Sequence, residues 1–220
     1  MTDRTISPKK RLFEQFAHVA KALASANRLE LLEALAQGAR SVENLAQAAG
    51  MSVANTSHHL QILRASGLVH SRKEGLQVIY RLSDDQIPTV IAAVRGIAER
   101  HLAEVTQIAR THFESLDNLQ PVRRDELMKM ANAGEVMVID VRPASEYEAG
   151  HIEGAVNIPL ETLPQHLADL PHTQEIVAYC RGPYCMLAFE AVAKLRAQGF
   201  HARRLEDGYP EWKAGRPSAE

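Results

Sequence analysis

Cys180 and Cys185 are the only cysteines in a chain of 220 residues, and they sit five positions apart in Tyr179-Cys180-Arg181-Gly182-Pro183-Tyr184-Cys185. Two thiols around a Gly-Pro turn have three chemical uses: a structural disulfide, part of a zinc site, or a reactive thiol. Zinc takes about four ligands, and no histidine stands at a customary spacing from either cysteine. The N-terminal MTDRTISPKK lacks the apolar core of a signal peptide. No run reaches the roughly 18 apolar residues of a membrane span. The chain therefore reads as cytoplasmic, with no membrane partner. Thiols there are kept reduced, which makes a permanent disulfide the weaker use of two cysteines. A reactive thiol is the expectation.

The flanking pattern positions that thiol. Residues 136–141, 155–158 and 176–179 are nearly continuous apolar runs of the kind found in buried parallel strands. The last of them runs directly into Cys180, and residues 186–198 carry a helical pattern. Cys180 is thus placed at the carboxyl end of a strand, facing a helix N-terminus, where open α/β sheets bind ligands. The backbone N–H groups from Arg181 to Cys185 are expected to wrap the sulfur, with the helix dipole and the Arg181 charge adding positive potential. Together they would lower the thiol pKa toward the roughly 3.5–7.5 range of activated cysteines. Gly182 permits the turn and Pro183 stiffens it. Upstream, residues 123–133 read as an amphipathic helix with Leu127, Met128 and Met130 on its apolar side, closed by Gly134.

These residues resemble a rhodanese domain. The matching set is Asp140-Val141-Arg142, Glu146-Tyr147, residues 150–159 (GHIEGAVNIP), the loop beginning Tyr179-Cys180-Arg181-Gly182, and Gly208, Trp212, Gly215, Arg216 and Pro217. Asp207 departs from it, standing where a second glycine is usual, in what reads as a turn distant from the chemistry. The resemblance implies sulfurtransferase chemistry of the thiosulfate sulfurtransferase type. Cys180 would take sulfane sulfur from a donor as a persulfide and pass it to a thiol or cyanide acceptor, with Arg181, Gly182 and Tyr184 forming the loop around it. Phosphatases and arsenate reductases on this scaffold use a longer loop with an arginine six positions after the cysteine. Here that position is Met186. Cys185 has two open roles: a small buried hydrophobe, or a resolving thiol that attacks the Cys180 persulfide. No cofactor is expected.

The front of the chain has a different character. Residues 1–84 hold 11 Lys+Arg against 7 Asp+Glu, which leaves −6 for the remainder of a chain whose net charge is −2. A mildly basic front and an acidic back fit two domains with different partners. Helical apolar spacing covers residues 11–36. A short helix over Val42–Ala48 then leads through Gly50 to a second helix N-capped by Ser52, with Leu45, Val53, Leu60 and Leu63 as the buried seam. The polar set Ser52, Asn55, Thr56, Ser57 and His58 lies at the start of this second helix, where recognition helices meet base edges. After Gly67 the residues alternate through a hairpin with Glu74-Gly75 at its tip, carrying Arg72 and Lys73 toward phosphate. Of the pair His58-His59, one is expected to face the groove and the other to pack.

This half is similar to the ArsR/SmtB family of winged-helix repressors, through Leu23-Ala24-Ser25-Ala26-Asn27-Arg28, Ser57-His58-His59-Leu60, residues 63–69 (LRASGLV) and Tyr80. The resemblance implies a homodimer that binds a palindromic operator in double-stranded DNA. Ser83-Asp84-Asp85-Gln86 reads as a capping box that opens a long apolar helix reaching Phe113, suited to self-pairing. Members of the family often sense metals. His101 and Glu104 match half of one such site, but the other half would fall near Pro88 and Val90, which cannot ligate, so no metal is expected.

The expected architecture is two domains, a mainly α winged helix-turn-helix followed by an α/β rhodanese domain with a parallel sheet. Residues 1–112 form the first, 113–121 a linker, and 122–220 the second. The leading functional expectation is a sulfur-responsive DNA-binding regulator. An alternative is primarily a sulfurtransferase with an accessory DNA-binding module, and a third is a metal-responsive repressor.

Overall fold

The computed structural model describes residues 7–114 and 120–215. Within the expected linker, residues 115–119 lie outside the described set, as do the expected closing residues Arg216 and Pro217. The chain divides into two compact units, Met1–Ile87 and Pro88–Glu220.

The first unit begins with two helices, Pro8–Leu23 (α1) and Ala26–Ala36 (α2), separated where Ser25 is extended. A short strand Arg40–Ser41 (β1) leads into Val42–Ala48 (α3), with the Ser41 hydroxyl capping the Asn44 N–H. Val53–Ala65 (α4) follows, capped in the same way by Ser52 on the Asn55 N–H. The hairpin Val69–Glu74 (β2) and Gln77–Leu82 (β3) turns at Gly75, whose φ of 59° suits glycine. The antiparallel order is β1-β3-β2. Leu31, Leu32, Leu45, Leu60 and Leu63 are fully buried and hold the helices to this small sheet.

Three expectations in this region are corrected. Val53 is 49% exposed, whereas Thr56 is completely buried. Thr56, Leu60 and Leu63 share one helical stripe, and that stripe faces the core. The capping box at Ser83 does not form either. The Ser83 hydroxyl donates to Gly67 O, and the Asp84 carboxylate takes the Gln86 N–H at 2.7 Å.

The second unit opens within α5 (Ile87–His101), whose first residue closes the first unit. Leu102 then adopts an extended conformation and splits the single expected helix, giving Ala103–Ala109 (α6) and a π-helical turn Arg110–Glu114. The α/β part runs Arg124–Ala133 (α7), Val136–Asp140 (β4), Ala144–Ala149 (α8), Val156–Asn157 (β5), Leu163–His166 (α9), Glu175–Tyr179 (β6), Met186–Ala197 (α10), Ala202–Arg204 (β7) and Tyr209–Ala214 (α11). Its parallel sheet has the order β5-β4-β6-β7.

Both faces of this sheet are covered, and alternation along β6 divides its side chains between two cores. Ile176, Ala178 and then Cys180 pack with Ile139, Ala191, Val192 and Leu195. Val177 and Tyr179 pack on the opposite face with Leu127, Val138, Leu205 and Trp212. Met130 joins that second core, but Met128, expected beside it, is 49% exposed. At the end of β4, Asp140 and Arg142 form an ion pair with both side chains fully buried. Arg142 also donates to Gly150 O, and Asn157 ties down the carbonyls of both Asp140 and Arg142.

Candidate functional site

Cys180 leaves the carboxyl end of β6, and Cys185 is the N-cap residue of α10. Apolar pressure on β6 and on the buried face of α10 therefore brings the two cysteines together across a four-residue loop. Their sulfurs are joined in a disulfide, with Cα atoms 6.2 Å apart, inside the usual range for such a bridge. Cys180 is buried and Cys185 only partly so.

The bridge is the product that a resolving Cys185 would leave, one of the two roles left open for it, and two neighbouring contacts differ from the expected cradle. The Cys185 N–H donates to Gly182 O at 3.1 Å, closing a turn rather than addressing the Cys180 sulfur. The Arg181 guanidinium donates to the Glu146 carboxylate of α8, with Nη2 2.7 Å from Oε1 and Nε 3.0 Å from Oε2. Glu146 is almost fully buried, so the positive charge of Arg181 is matched by a carboxylate. The N-terminus of α10, a helix of 12 residues that begins immediately after Cys185, adds positive potential beside the pair.

The loop is also held from the C-terminal side. Tyr209 N–H donates to Cys180 O at 3.0 Å. A Cβ on Gly208 would collide with the Arg181 carbonyl and the Gly182 amide. The turn containing Asp207 is therefore in contact with the loop, not distant from it as the sequence suggested. Burial pushes the Asp207 carboxyl above the ordinary carboxylate range, and the nearby Glu211 and Glu206 push it further. Gly208→Ala is expected to destabilise this unit by about 1–3 kcal/mol, the usual cost of overpacking a close contact. An unchanged urea unfolding midpoint would contradict the close fit.

Tyr184 lies in the loop with its ring partly exposed, and its hydroxyl donates to Glu99 Oε1 of α5 at 2.6 Å. Burial and the Glu99 carboxylate raise the phenol pKa to about 12, so it stays a donor at neutral pH. The sequence reading identified Tyr184 but neither Glu99 nor Glu146, whose partners lie 85 and 35 residues away. The only advance signal was Glu146 as part of the matched Glu-Tyr pair.

In the first unit, Asn55 and His58 are exposed, Ser57 is half-buried, and the Ser52 oxygen is occupied as the helix cap. Thr56 is enclosed and cannot reach a base. The exposed stripe of α4 includes Ala54, His58 and Gln61, of which only His58 was expected. His59 packs instead, 3.2 Å from the Asn27 amide. Burial lowers its imidazole pKa, as do the charges of Arg28 and His58. Arg72 and Lys73 are exposed on β2, with Arg72 also paired to Glu74 at 2.6 Å. His101 and Glu104 are both exposed. Among the described residues, no group of three His, Cys, Asp or Glu side chains is arranged to hold a metal, and no helix is long and apolar enough to cross a membrane.

A winged helix-turn-helix and a rhodanese-like domain thus share one chain. Residues 25–71 match the bacterial regulatory protein, arsR family, and residues 123–215 match the rhodanese-like domain. The chain is 44% identical over 213 residues to the HTH-type transcriptional regulator Rv0324 of Mycobacterium tuberculosis, covering 96% of this chain and 93% of that one. It belongs to that family, as an ArsR-type DNA-binding regulator with a C-terminal rhodanese domain. A sulfurtransferase of Allochromatium vinosum is 27% identical over 85 residues, covering 38% of this chain and 78% of that one. Among solved structures, the homodimeric winged helix-turn-helix DNA-binding domain Mb0332 of Mycobacterium bovis is 40% identical. It covers 46% of this chain and 94% of that one, with a TM-score of 0.41.

Proposed function

We propose that this regulator is sulfur-responsive, with Cys180 as the sulfur-accepting residue and Cys185 as its resolving partner. The observation that carries the reading is the bridged pair Cys180–Cys185 at the mouth of a parallel sheet, in the same chain as a DNA-binding unit. The functional modules are residues 1–112 and 122–220, joined through 113–121, in a cytoplasmic protein.

The chemistry starts from the reduced pair. The Cys180 thiolate attacks the outer sulfur of a persulfide donor RS–SH. The donor S–S bond breaks and RSH leaves, which places a sulfane sulfur on Cys180. A thiol or cyanide acceptor can remove that sulfur and restore Cys180. Alternatively, the Cys185 thiolate attacks the Cys180 sulfur itself, and the outer sulfur departs as sulfide. The net result is two thiols oxidised to one disulfide and one sulfane sulfur reduced to hydrogen sulfide. A dithiol reverses the bridge by attacking Cys185, the more exposed sulfur. It expels Cys180 as a thiolate at the N-terminus of α10, where the helix dipole favours the departing anion.

For DNA, Asn55, Ser57 and His58 supply short polar groups for base edges, Ser52 sets the start of the helix, and Arg72 and Lys73 approach the backbone. A homodimer reading a palindrome is supported by unpartnered apolar faces within each unit. Phe13 and Phe16 of α1 are 58% and 62% exposed, and Val94 and Ile97 of α5 are 49% and 56% exposed.

The test measures affinity for a duplex selected by the wild-type protein from a randomised library. Reduced protein is compared with persulfide-treated protein, for wild type and for Cys180→Ser. The expected result is a change of about 5–150-fold in wild type, the ordinary span of allosteric coupling, and none in Cys180→Ser. Equal affinities under both conditions in wild type would reject sulfur-gated binding.

A further inference from the structure

We infer that the cysteine loop is mechanically coupled to α5 through Tyr184 and Glu99, so that opening the Cys180–Cys185 bridge releases this helix. The inference rests on the sulfur-responsive reading of the same pair and supplies the route by which its state leaves the loop.

Two strands of contact join α5 to the loop. The first is direct. Tyr184, one residue before Cys185, donates its hydroxyl to Glu99 at 2.6 Å, and its ring packs against Phe113 with centroids 5.2 Å apart. Phe113 in turn meets Phe189 of α10 at 5.3 Å. The second runs through α11. Arg95, one helical turn before Glu99 on the same face, reaches the Glu211 carboxylate at 2.9 Å. The other oxygen of Glu211 accepts the Gly208 N–H at 3.2 Å, and Gly208 is pressed against the Arg181 and Gly182 backbone. Arg95 also lies 3.7 Å from Glu99, linking the two strands.

The bridge closes a six-residue ring that contains Tyr184 and so restrains where its side chain can lie. Beside this ring lies a cavity of about 290 Å³ bordered by Pro183, Tyr184, Glu99, Phe113, Arg204 and Asp207. Once the sulfurs separate, the loop regains conformational freedom and has space into which the tyrosine can turn. Glu99 then loses the Tyr184 donor, and of the two ties the Arg95–Glu211 pair remains. The chain that enters α5 comes directly from the winged unit: Ile87, its first residue, bonds through its N–H to Asp84 O. A helix held at one end by the cysteine loop and continuous at the other with the DNA-binding unit is a two-state element of the kind allostery needs.

The test follows amide hydrogen exchange of residues 95–101 in the full-length protein, bridged and after reduction by a dithiol, with bridge state read by intact mass. Wild type is expected to exchange about tenfold faster in this segment once the bridge opens, as a locally released helix does. Glu99→Ala removes the acceptor at a partly exposed helical position and leaves the cysteines untouched. It is expected to open and close the bridge normally while exchanging fast in both states. Tyr184→Phe keeps the ring contact with Phe113 and is expected to behave the same way. A wild-type protein whose bridge opens without any change in residues 95–101 would overturn the coupling, as would variants that keep the wild-type difference. A protein that shows the coupling with a dithiol, yet whose reduced pair is not oxidised by a persulfide donor, would retain the relay and reject the sulfur reading.

Discussion

Cys180→Ser protein is expected to form thiocyanate from thiosulfate and cyanide no faster than the uncatalysed reaction. In the proposed cycle the Cys180 thiolate would take the sulfane sulfur of thiosulfate as sulfite leaves. Cyanide would then remove that sulfur as thiocyanate and regenerate the thiolate. A serine hydroxyl at 180 has neither the acidity nor the polarisable sulfur to carry this cycle. Cys185→Ser is expected to keep turnover within about tenfold of wild type, since a resolving thiol diverts the persulfide rather than forming it. Equal and complete loss in both variants would contradict this division of roles. Thiocyanate assay of the two proteins side by side, reduced beforehand, separates the outcomes.

The second large effect concerns stability. Asp140→Ala is expected to destabilise the rhodanese-like unit by about 3–5 kcal/mol, the usual consequence of removing one partner of a buried ion pair. Asp140 and Arg142 are both fully enclosed, so the guanidinium left behind has no access to water. The Asp140 carboxylate also accepts the Arg142 backbone N–H at 3.0 Å, so the turn after β4 loses an anchor at the same time. Urea unfolding followed by Trp212 fluorescence reports on this unit, because Trp212 lies in its core and is the only tryptophan. A loss below about 1 kcal/mol, the range of an exposed pair, would show that the enclosed pair is dispensable.

Much of the scaffold was legible because it depends on local pattern. The apolar run of β6, the helical spacing of α10 and the cap at Ser52 each lie within a few residues, and each formed where the pattern placed it. The placement of Cys180 at a strand end opposite a helix followed from those elements alone. Side-chain assignments failed where residue type was trusted over periodicity. Thr56 is polar yet falls on the Leu60–Leu63 stripe, and Val53 is apolar yet sits in the first turn beyond the reach of the core.

The electrostatics of the site were less legible. Arg181 looks like a charge donated to the sulfur until Glu146 is folded against it. The same limit hid the contacts of Asp207, Gly208 and Glu99 with the loop region, which are set by packing between distant segments rather than by spacing. The consequence is chemical. In the proposed chemistry the α10 N-terminus would favour a Cys180 thiolate, while Arg181, paired to Glu146, and Gly208, packed on the loop backbone, hold the loop in shape.

The central claim, that Cys180 accepts a sulfane sulfur, is tested most directly by peptide mass spectrometry of reduced Cys185→Ser protein treated with a persulfide donor. With no resolving thiol, the peptide bearing Cys180 is predicted to gain the mass of a single sulfur atom and to lose it again on exposure to cyanide. An unmodified Cys180 peptide under conditions that load a free low-pKa thiol would contradict the account.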